Sequence, residues 1–533
     1  MLNLNKGQQN LRTQLPKNLI TNVVLFLVSI LIGVFLVPYY IDTLGVSSYA
    51  LVPLATSITS YVNLVIQSLN SSVSRYLTVD LQRGDFNKAN IIFNTSLFGM
   101  LGISLLSLPI IIVVSYYAPT FFEVSTNQRY DAYLLFLGTI LSFLISTLGG
   151  VFGVSLFAYN RLDLQNILSI SDIVIKVAVI ILLFSNYSPM LCHIGFANLI
   201  ASIIIFIATI YISKKVNPHF KVNLSNFKIS EMKEIANTGN WLIINQVGTI
   251  LFLQMDLIVV NKLFGPVAGG EYAALLTWSR LLRTLAGVLS GVLTPIILTY
   301  YAKNQFDNMI SISKSAVKFM GFAMALPIGC LCGFAPNILS LWIGPEFAKL
   351  SPLMWILLSH LIINLSVLPL FSINISLNKV RIPGLVTLFM GVGNFLLALM
   401  IPYFTGLGYY GVAIAGAIML TMKNSFFLPW YTSRLLKIHK YTFITPILCG
   451  FIATLVIVII IYILNYFIDI YTPIHLIFYC GLLSIIYILV VWLIGLSQIE
   501  RQIINSFIPV TIKSKFKHEL DGNQILNKIF SKF

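Results

Sequence analysis

Two arginines, Arg280 and Arg283, stand three residues apart near the middle of an apolar stretch of membrane-spanning length, 272–297. An arginine at bilayer depth costs about 2.5–3.5 kcal/mol on insertion scales, and this spacing puts both on one helical face. The preceding apolar stretch offers one obvious carboxylate, Asp256. An excess of cation at that depth is the chemistry of a site for an anion that comes and goes. Two more bases, Lys176 and Lys423, and one more acid, Asp172, also sit inside apolar stretches. Asp172 and Lys176, four apart, can neutralise each other. Asp256 and Arg280, at similar depth on consecutive stretches, are expected to pair. Lys423 lies about a third of the way in from one surface and can snorkel to it. Arg283 is left as the cation with no local partner.

The elements that must position these charges are transmembrane helices. The 533 residues are 58% hydrophobic and 9% charged, against about a quarter charged in soluble domains. About fourteen stretches approach the ~20 residues that cross a bilayer: 19–41, 51–70, 91–116, 133–157, 166–185, 190–212, 241–263, 272–297, 316–336, 352–377, 384–404, 408–431, 444–468 and 473–496. The fold class expected is therefore all-α and polytopic. The first stretch lacks an A-x-A-like cleavage site and reads as a true span.

Of the 33 basic residues, about 26 fall in alternate connections on one side, whereas the other side holds Arg129, Lys262 and Lys349. The basic side is expected to be cytoplasmic, with both termini there. The formal charge of +16 then belongs to loops facing anionic lipid, not to a nucleic-acid surface. The tail 497–533, carrying Lys513, Lys515, Lys517, Lys528 and Lys532, is expected to lie on the membrane surface. The five cysteines fall in apolar segments; Cys330 and Cys332 form a C-x-C pair but read as small packing residues. The histidines show no H-E-x-x-H or Cys/His spacing, and there is no G-x-x-x-x-G-K-[ST] loop. No metal, cofactor or nucleotide is implied, and the chain does not read as an enzyme.

The chain also repeats itself. Leu44-Gly45 followed by Tyr49-Ala50 recurs as Phe264-Gly265 followed by Tyr272-Ala273, and Asn22 corresponds to Asn245 at the same offset. Pro109 matches Pro327, and Asn160-Arg161 matches Asn378-Lys379, at a slightly shorter one. The expected domains are two parallel six-helix bundles, 1–212 and 237–434, joined by a basic linker 213–236, with two additional helices in 435–496 and the tail 497–533. Thr56, Ser60, Asn63, Gln67 and Ser71 recur at helical spacing as one polar stripe, which should face protein or water rather than lipid. The offset carries Ser60 onto Arg283 and Gln67 onto Ser290. Asn245, Thr249 and Asp256 make a similar stripe. Substrate contacts are expected from Arg283, Arg280, Lys176, Lys423, Ser60, Asn63, Gln67, Asn245 and Ser290, in a cleft between the bundles; Asp256 and Asp172 are candidates for ion pairing or coupling.

Pro38, Leu44-Gly45 and Tyr49, then Arg75-Tyr76 and Gly84-Asp85, and later Leu341-Trp342-Ile343-Gly344, resemble the pattern of polysaccharide-export flippases. That family shares a superfamily with multidrug exporters and lipid II flippases. The resemblance implies alternating access around a central cavity, a bacterial plasma membrane location, an undecaprenyl-diphosphate oligosaccharide as substrate, and polysaccharide assembly proteins as partners. Two rivals are a cation-coupled drug exporter, which needs intramembrane carboxylates, and a membrane-embedded glycosyltransferase or polymerase. For the latter the longest outer connection offers only Glu123, Arg129 and Asp131.

Overall fold

The computed structural model describes residues 2–60, 73, 76–77, 80–81, 84–218, 220–232, 246–377, 379–468, 470–498 and 500–501; side chains of 2–13, 15, 19, 292–296, 298 and 302 are outside that description. Among the described residues the secondary structure is helical throughout. The first half contributes α1 (Leu2–Leu44), α2 (Phe86–Phe121), α3 (Arg129–Ala158), α4 (Leu162–Asn186) and α5 (Leu191–Val216). The second contributes α6 (Met255–Ala302), α7 (Phe306–Gly333), α8 (Ser351–Ser359), α9 (Leu361–Ser366), α10 (Pro369–Ser376), α11 (Arg381–Thr405), α12 (Tyr409–Thr421) and α13 (Leu428–Leu435). Two more helices follow, α14 (Ile444–Phe467) and α15 (Pro473–Val490).

Twelve helical segments among the described residues are long and apolar enough to span a membrane. One of them, Gln246–Gly291, has 46 residues. At 1.5 Å per residue it would be about 69 Å long if straight, twice a ~30 Å hydrocarbon core. It is not straight. Gly265 has φ 87° and ψ 173°, a conformation only glycine adopts readily, and a Cβ on Gly269 would lie 2.5 Å from Asn261 Nδ2. The chain folds back on itself there, so this segment holds two of the stretches that hydropathy separates. The stretch at 51–70 is helical over 51–60, and its second half lies outside the description.

Backbone geometry recurs where sequence motifs recur. Gly45, after α1, has φ 81° and ψ 157°, close to Gly265. The Asp85 N–H donates to the Asp80 carbonyl and the Gln305 N–H to the Tyr300 carbonyl, both at 3.0 Å. The Arg161 N–H donates to the Leu156 carbonyl at 2.7 Å, and the Lys379 N–H to the Asn374 carbonyl at 2.8 Å. These are the six-to-one bonds that close a helix C-terminus.

Glycines let helices touch backbone to backbone. A Cβ on Gly195 of α5 would sit 2.6 Å from the Leu134 carbonyl oxygen of α3, and one on Gly248 would sit 2.5 Å from the Thr387 carbonyl carbon of α11. Small-residue contacts of this kind replace the missing hydrophobic drive between helices in lipid. Gly321 of α7 meets Gly450 in the same way, fastening α14 to the second half.

The largest apolar core draws on both halves: Tyr40, Tyr49, Phe122 and Leu135 pack in one cluster with Leu257, Tyr272, Phe334 and Leu353. At the opposite end of the helices the cores are separate. Phe93, Val151 and Phe220 belong to the first half alone, and Met309, Leu370 and Phe443 to the second. The joined end also carries polar ties between halves. Lys262 Nζ lies 2.6 Å from Glu123 Oε1, and the Ser57 hydroxyl donates to Gln254 Oε1 at 2.8 Å. Among the described residues the halves thus share a core at the end of α1 and α2 and have separate cores at the other.

Candidate functional site

Arg280 and Arg283 both line one cavity of about 260 Å³, together with Gln254, Asp256, Ser279 and His360. The Gly265 fold-back makes this possible, because it returns the limb carrying the arginines beside the limb carrying Asp256. All described lining residues come from the second half, from α6, α8, α12 and the residues just before α6. A cleft between halves was the expected place; the described lining is all from the second half, and the first-half stretch 61–72 lies outside the description. Tyr49 of the first half adjoins Arg280 electrostatically, and Ser57 holds Gln254.

The expected pairing of Asp256 with Arg280 does not appear as an ion pair within 4.0 Å among the described residues. Asp256 interacts electrostatically with Arg283, while Arg280 interacts with Tyr49. Among the described residues neither arginine makes an ion pair within 4.0 Å. Asp256 Oδ1 is held by Asn394 Nδ2 of α11 at 2.9 Å. Arg283 Nε donates to Ser279 Oγ at 3.3 Å, which orients the guanidinium and leaves its terminal nitrogens for the cavity. Arginine's planar fork suits two parallel bonds to a phosphate or carboxylate.

Lys423 stands behind this wall. It lies in a π-helical turn, Met422–Phe427, and its ammonium lies 5.5 Å from the Phe252 ring centroid and 5.7 Å from that of Phe371. Phe252 is itself a cavity wall. The lysine is within electrostatic range of Arg283, so three cations share one neighbourhood, held partly by ring faces.

Lys176 and Asp172 are elsewhere. They form an ion pair at 2.6 Å along α4, and Asp172 borders a separate cavity in the first half. Ser60 is half-buried and its hydroxyl donates to the Thr56 carbonyl at 3.2 Å, apart from the arginine cavity. Ser290 lies on α6 beyond the last lining residue, Thr284. Asn63, Gln67 and Asn245 lie outside the described residues.

Two cavity residues escape a search for charges and metal spacings: Gln254 and His360. His360 follows α8 and is bonded by Asn364 of α9. Asn364 Nδ2 donates to the His360 carbonyl at 2.8 Å, and that oxygen can only accept. The same nitrogen lies 2.9 Å from His360 Nδ1. Asn364 is held in turn by Thr421 and Ser425. The sequence signal was its depth, since a histidine within an apolar span is a functional candidate by position alone. Among the described residues the cavity as a whole presents two guanidinium groups and an imidazole against one carboxylate. That set suits a polar anion.

Comparison with known proteins places this arrangement. A family model described as polysaccharide biosynthesis protein matches residues 15–301. The chain is 32% identical over 432 residues to the uncharacterized membrane protein EpsK of Bacillus subtilis (strain 168), covering 81% of this chain and 85% of that one. In fold it resembles an inward-facing multidrug resistance MATE family transporter of the MOP superfamily, with a TM-score of 0.66 at 16% identity over 78% of this chain and 95% of that one. It also resembles the lipid II flippase MurJ in an inward closed conformation, with a TM-score of 0.56 at 15% identity over 84% and 98% of the two chains. The likeness to an outward-facing MATE transporter has a TM-score of 0.56 at 14% identity, covering 80% and 96%.

Proposed function

The chain belongs to the polysaccharide biosynthesis protein family, and from that footing we propose that it is a flippase for lipid-linked oligosaccharide. The substrate is a glycan on undecaprenyl diphosphate, carried from the cytoplasmic to the outer leaflet of a bacterial plasma membrane. The observation that supports this most is the cavity wall formed by Arg280 and Arg283, opposed by the single carboxylate Asp256. A diphosphate is the anion that such a wall accommodates: two guanidinium forks meet two phosphoryl groups through charge-assisted bonds. A cationic drug would meet the wrong sign of charge.

The halves 1–212 and 237–434 act as pseudo-symmetric bundles that rock about the site, with both termini cytoplasmic. The end with separate cores then faces the cytoplasm, where the glycan is built, and the end joined by the shared core faces outward. A potential negative inside favours outward movement of the anion by about 2.3 kcal/mol per charge per 100 mV. Polysaccharide assembly proteins supply and receive the lipid.

The test is reconstitution. Purified protein in vesicles containing undecaprenyl-diphosphate oligosaccharide is exposed to a glycosidase added outside. Lipid that starts in the inner leaflet is expected to become accessible over minutes, faster with an imposed potential. Accessibility no greater than in protein-free vesicles would refute the proposal.

A further inference from the structure

A second cavity, of about 540 Å³, lies in the first half between α3, α4 and α5. Its walls are of a different kind from the arginine cavity: Ser146, Gln165, Asn166, Ser169, Asp172 and Thr209 supply hydroxyl, amide and carboxylate groups. Its size falls within the roughly 300–1,000 Å³ of small-molecule sites.

The cavity opens toward protein and water, as the two faces of α4 show. Gln165, Ser169, Asp172 and Lys176 recur at helical spacing on one side, whereas Ile167, Val174 and Ile181, each about half exposed, mark the opposite side. Polar groups toward lipid and isoleucines toward water would both be costly, so the apolar stripe faces the bilayer. The cavity is also at a distinct level. It uses the C-terminal half of α3 and the N-terminal half of α4, toward the end where the described cores of the halves are separate.

Its chemistry excludes two ligand classes. A phosphate would meet the Asp172 carboxylate. A metal cation would have to displace Lys176 Nζ, which lies 2.6 Å from Asp172 Oδ2. Among the described residues Asp172 Oδ1 takes no hydrogen bond, so an acceptor remains. The Ser146 and Ser169 hydroxyls donate to the carbonyls of Ser142 and Gln165, leaving oxygen lone pairs toward the space. Gln165 Nε2 donates to the Gly153 carbonyl at 2.8 Å, and its amide keeps one N–H and its oxygen. A neutral ligand rich in hydroxyl donors and acceptors fits this set.

We infer that this cavity is a carbohydrate subsite, which holds the first sugars of the lipid-linked glycan while Arg280 and Arg283 hold the diphosphate. The inference rests on the flippase reading and divides its substrate between the two halves. The anchor binds to the second half and the glycan is read by the first.

Gly153 provides the test. A Cβ there would lie 3.7 Å from Gln165 Nε2, an ordinary contact, so Gly153→Leu fills the cavity without striking backbone. Full-length protein in detergent is titrated with bare undecaprenyl diphosphate and with the glycan-bearing lipid extracted from export-blocked cells. The wild type is expected to bind the glycan-bearing lipid about tenfold more tightly, the worth of one to three net hydrogen bonds. Gly153→Leu should reduce that ratio to about one and leave affinity for the bare lipid unchanged. A Ser146→Ala/Ser169→Ala double variant, which adds no bulk, should lower the ratio at least threefold and covers the case in which the leucine variant fails to fold. A ratio preserved in the folded variants, or a ratio of one in the wild type, would overturn the subsite while leaving the flippase intact. Failure to bind either lipid would overturn the flippase reading, and the subsite with it.

Discussion

Replacing Arg283 with alanine removes the guanidinium that faces the cavity beside Asp256, and its effect on anion binding can be worked from the structure. One of its nitrogens is engaged by Ser279 at 3.3 Å, so two terminal nitrogens remain for a phosphoryl group. Each hydrogen bond to a charged group contributes about 1.5–3 kcal/mol. The lower figure, taken twice, gives about 3 kcal/mol, or roughly 150-fold in affinity. Arg283→Lys keeps the charge but not the fork, and about a tenfold loss is expected. The assay is titration of purified full-length protein with farnesyl diphosphate, a soluble prenyl diphosphate. Thermal unfolding is recorded in parallel, because the substitution also strips Asp256 of its neighbouring cation while leaving the Asn394 bond at 2.9 Å. An Asp256→Asn/Arg283→Ala double variant should recover any lost stability without recovering affinity. A folded Arg283→Ala protein that binds farnesyl diphosphate within twofold of wild type would refute the role given to this arginine.

Other substitutions probe other levels of the design. Gly195→Val should sharply reduce the amount of folded protein, since even a Cβ would lie 2.6 Å from the Leu134 carbonyl; normal abundance in membranes would contradict the close approach of α3 and α5. Cysteines introduced as Glu123→Cys and Lys262→Cys should be joined by a reducible bifunctional thiol reagent, because the tips of the longer native side chains meet at 2.6 Å, and the link should stop transport until it is reduced; undiminished transport while linked would exclude separation of the halves at that end. Glu500 is tied to Lys318 at 2.8 Å and accepts the Ser497 N–H at 2.8 Å. Burial pushes its carboxyl up, but these bonds outweigh burial and hold it below the usual glutamate range. A depressed value means that the ionised form favours the docked state. Docking of residues 496–501 should therefore be complete at neutral pH and be lost only as pH falls through the depressed value. Proteolysis after Arg501 as a function of pH measures this, and Glu500→Gln should make cleavage fast at every pH.

Much of the architecture is legible from hydropathy because lipid forces helices to satisfy their own backbone. Leu44-Gly45 and Phe264-Gly265 mark a sharp backbone break in advance, since a left-handed φ selects glycine. The depth of Arg280 and Arg283 singles out the site for the same energetic reason. Which acid adjoins which base is less accessible. The arginines are three positions apart, one turn at most, so the sequence does not say which of them Asp256 meets; the structure couples it electrostatically to Arg283. Lys423 gives no hint in sequence of the Phe252 and Phe371 rings beside it, because those rings come from other helices. His360 is similarly silent; its partner Asn364 is four residues on, but its cavity is assembled from α6, α8 and α12.

The apolar cluster shared by the two halves has a thermal consequence. Tyr40, Tyr49 and Phe122 pack with Leu257 and Tyr272 in a contact that belongs to neither half alone. Parting the halves at that end admits water to these rings, and newly hydrated apolar surface raises heat capacity. The enthalpy of the transition then changes with temperature. An Arrhenius plot of transport should bend, and the conformation joined at this end should lose its advantage on cooling, as hydrophobic contacts weaken.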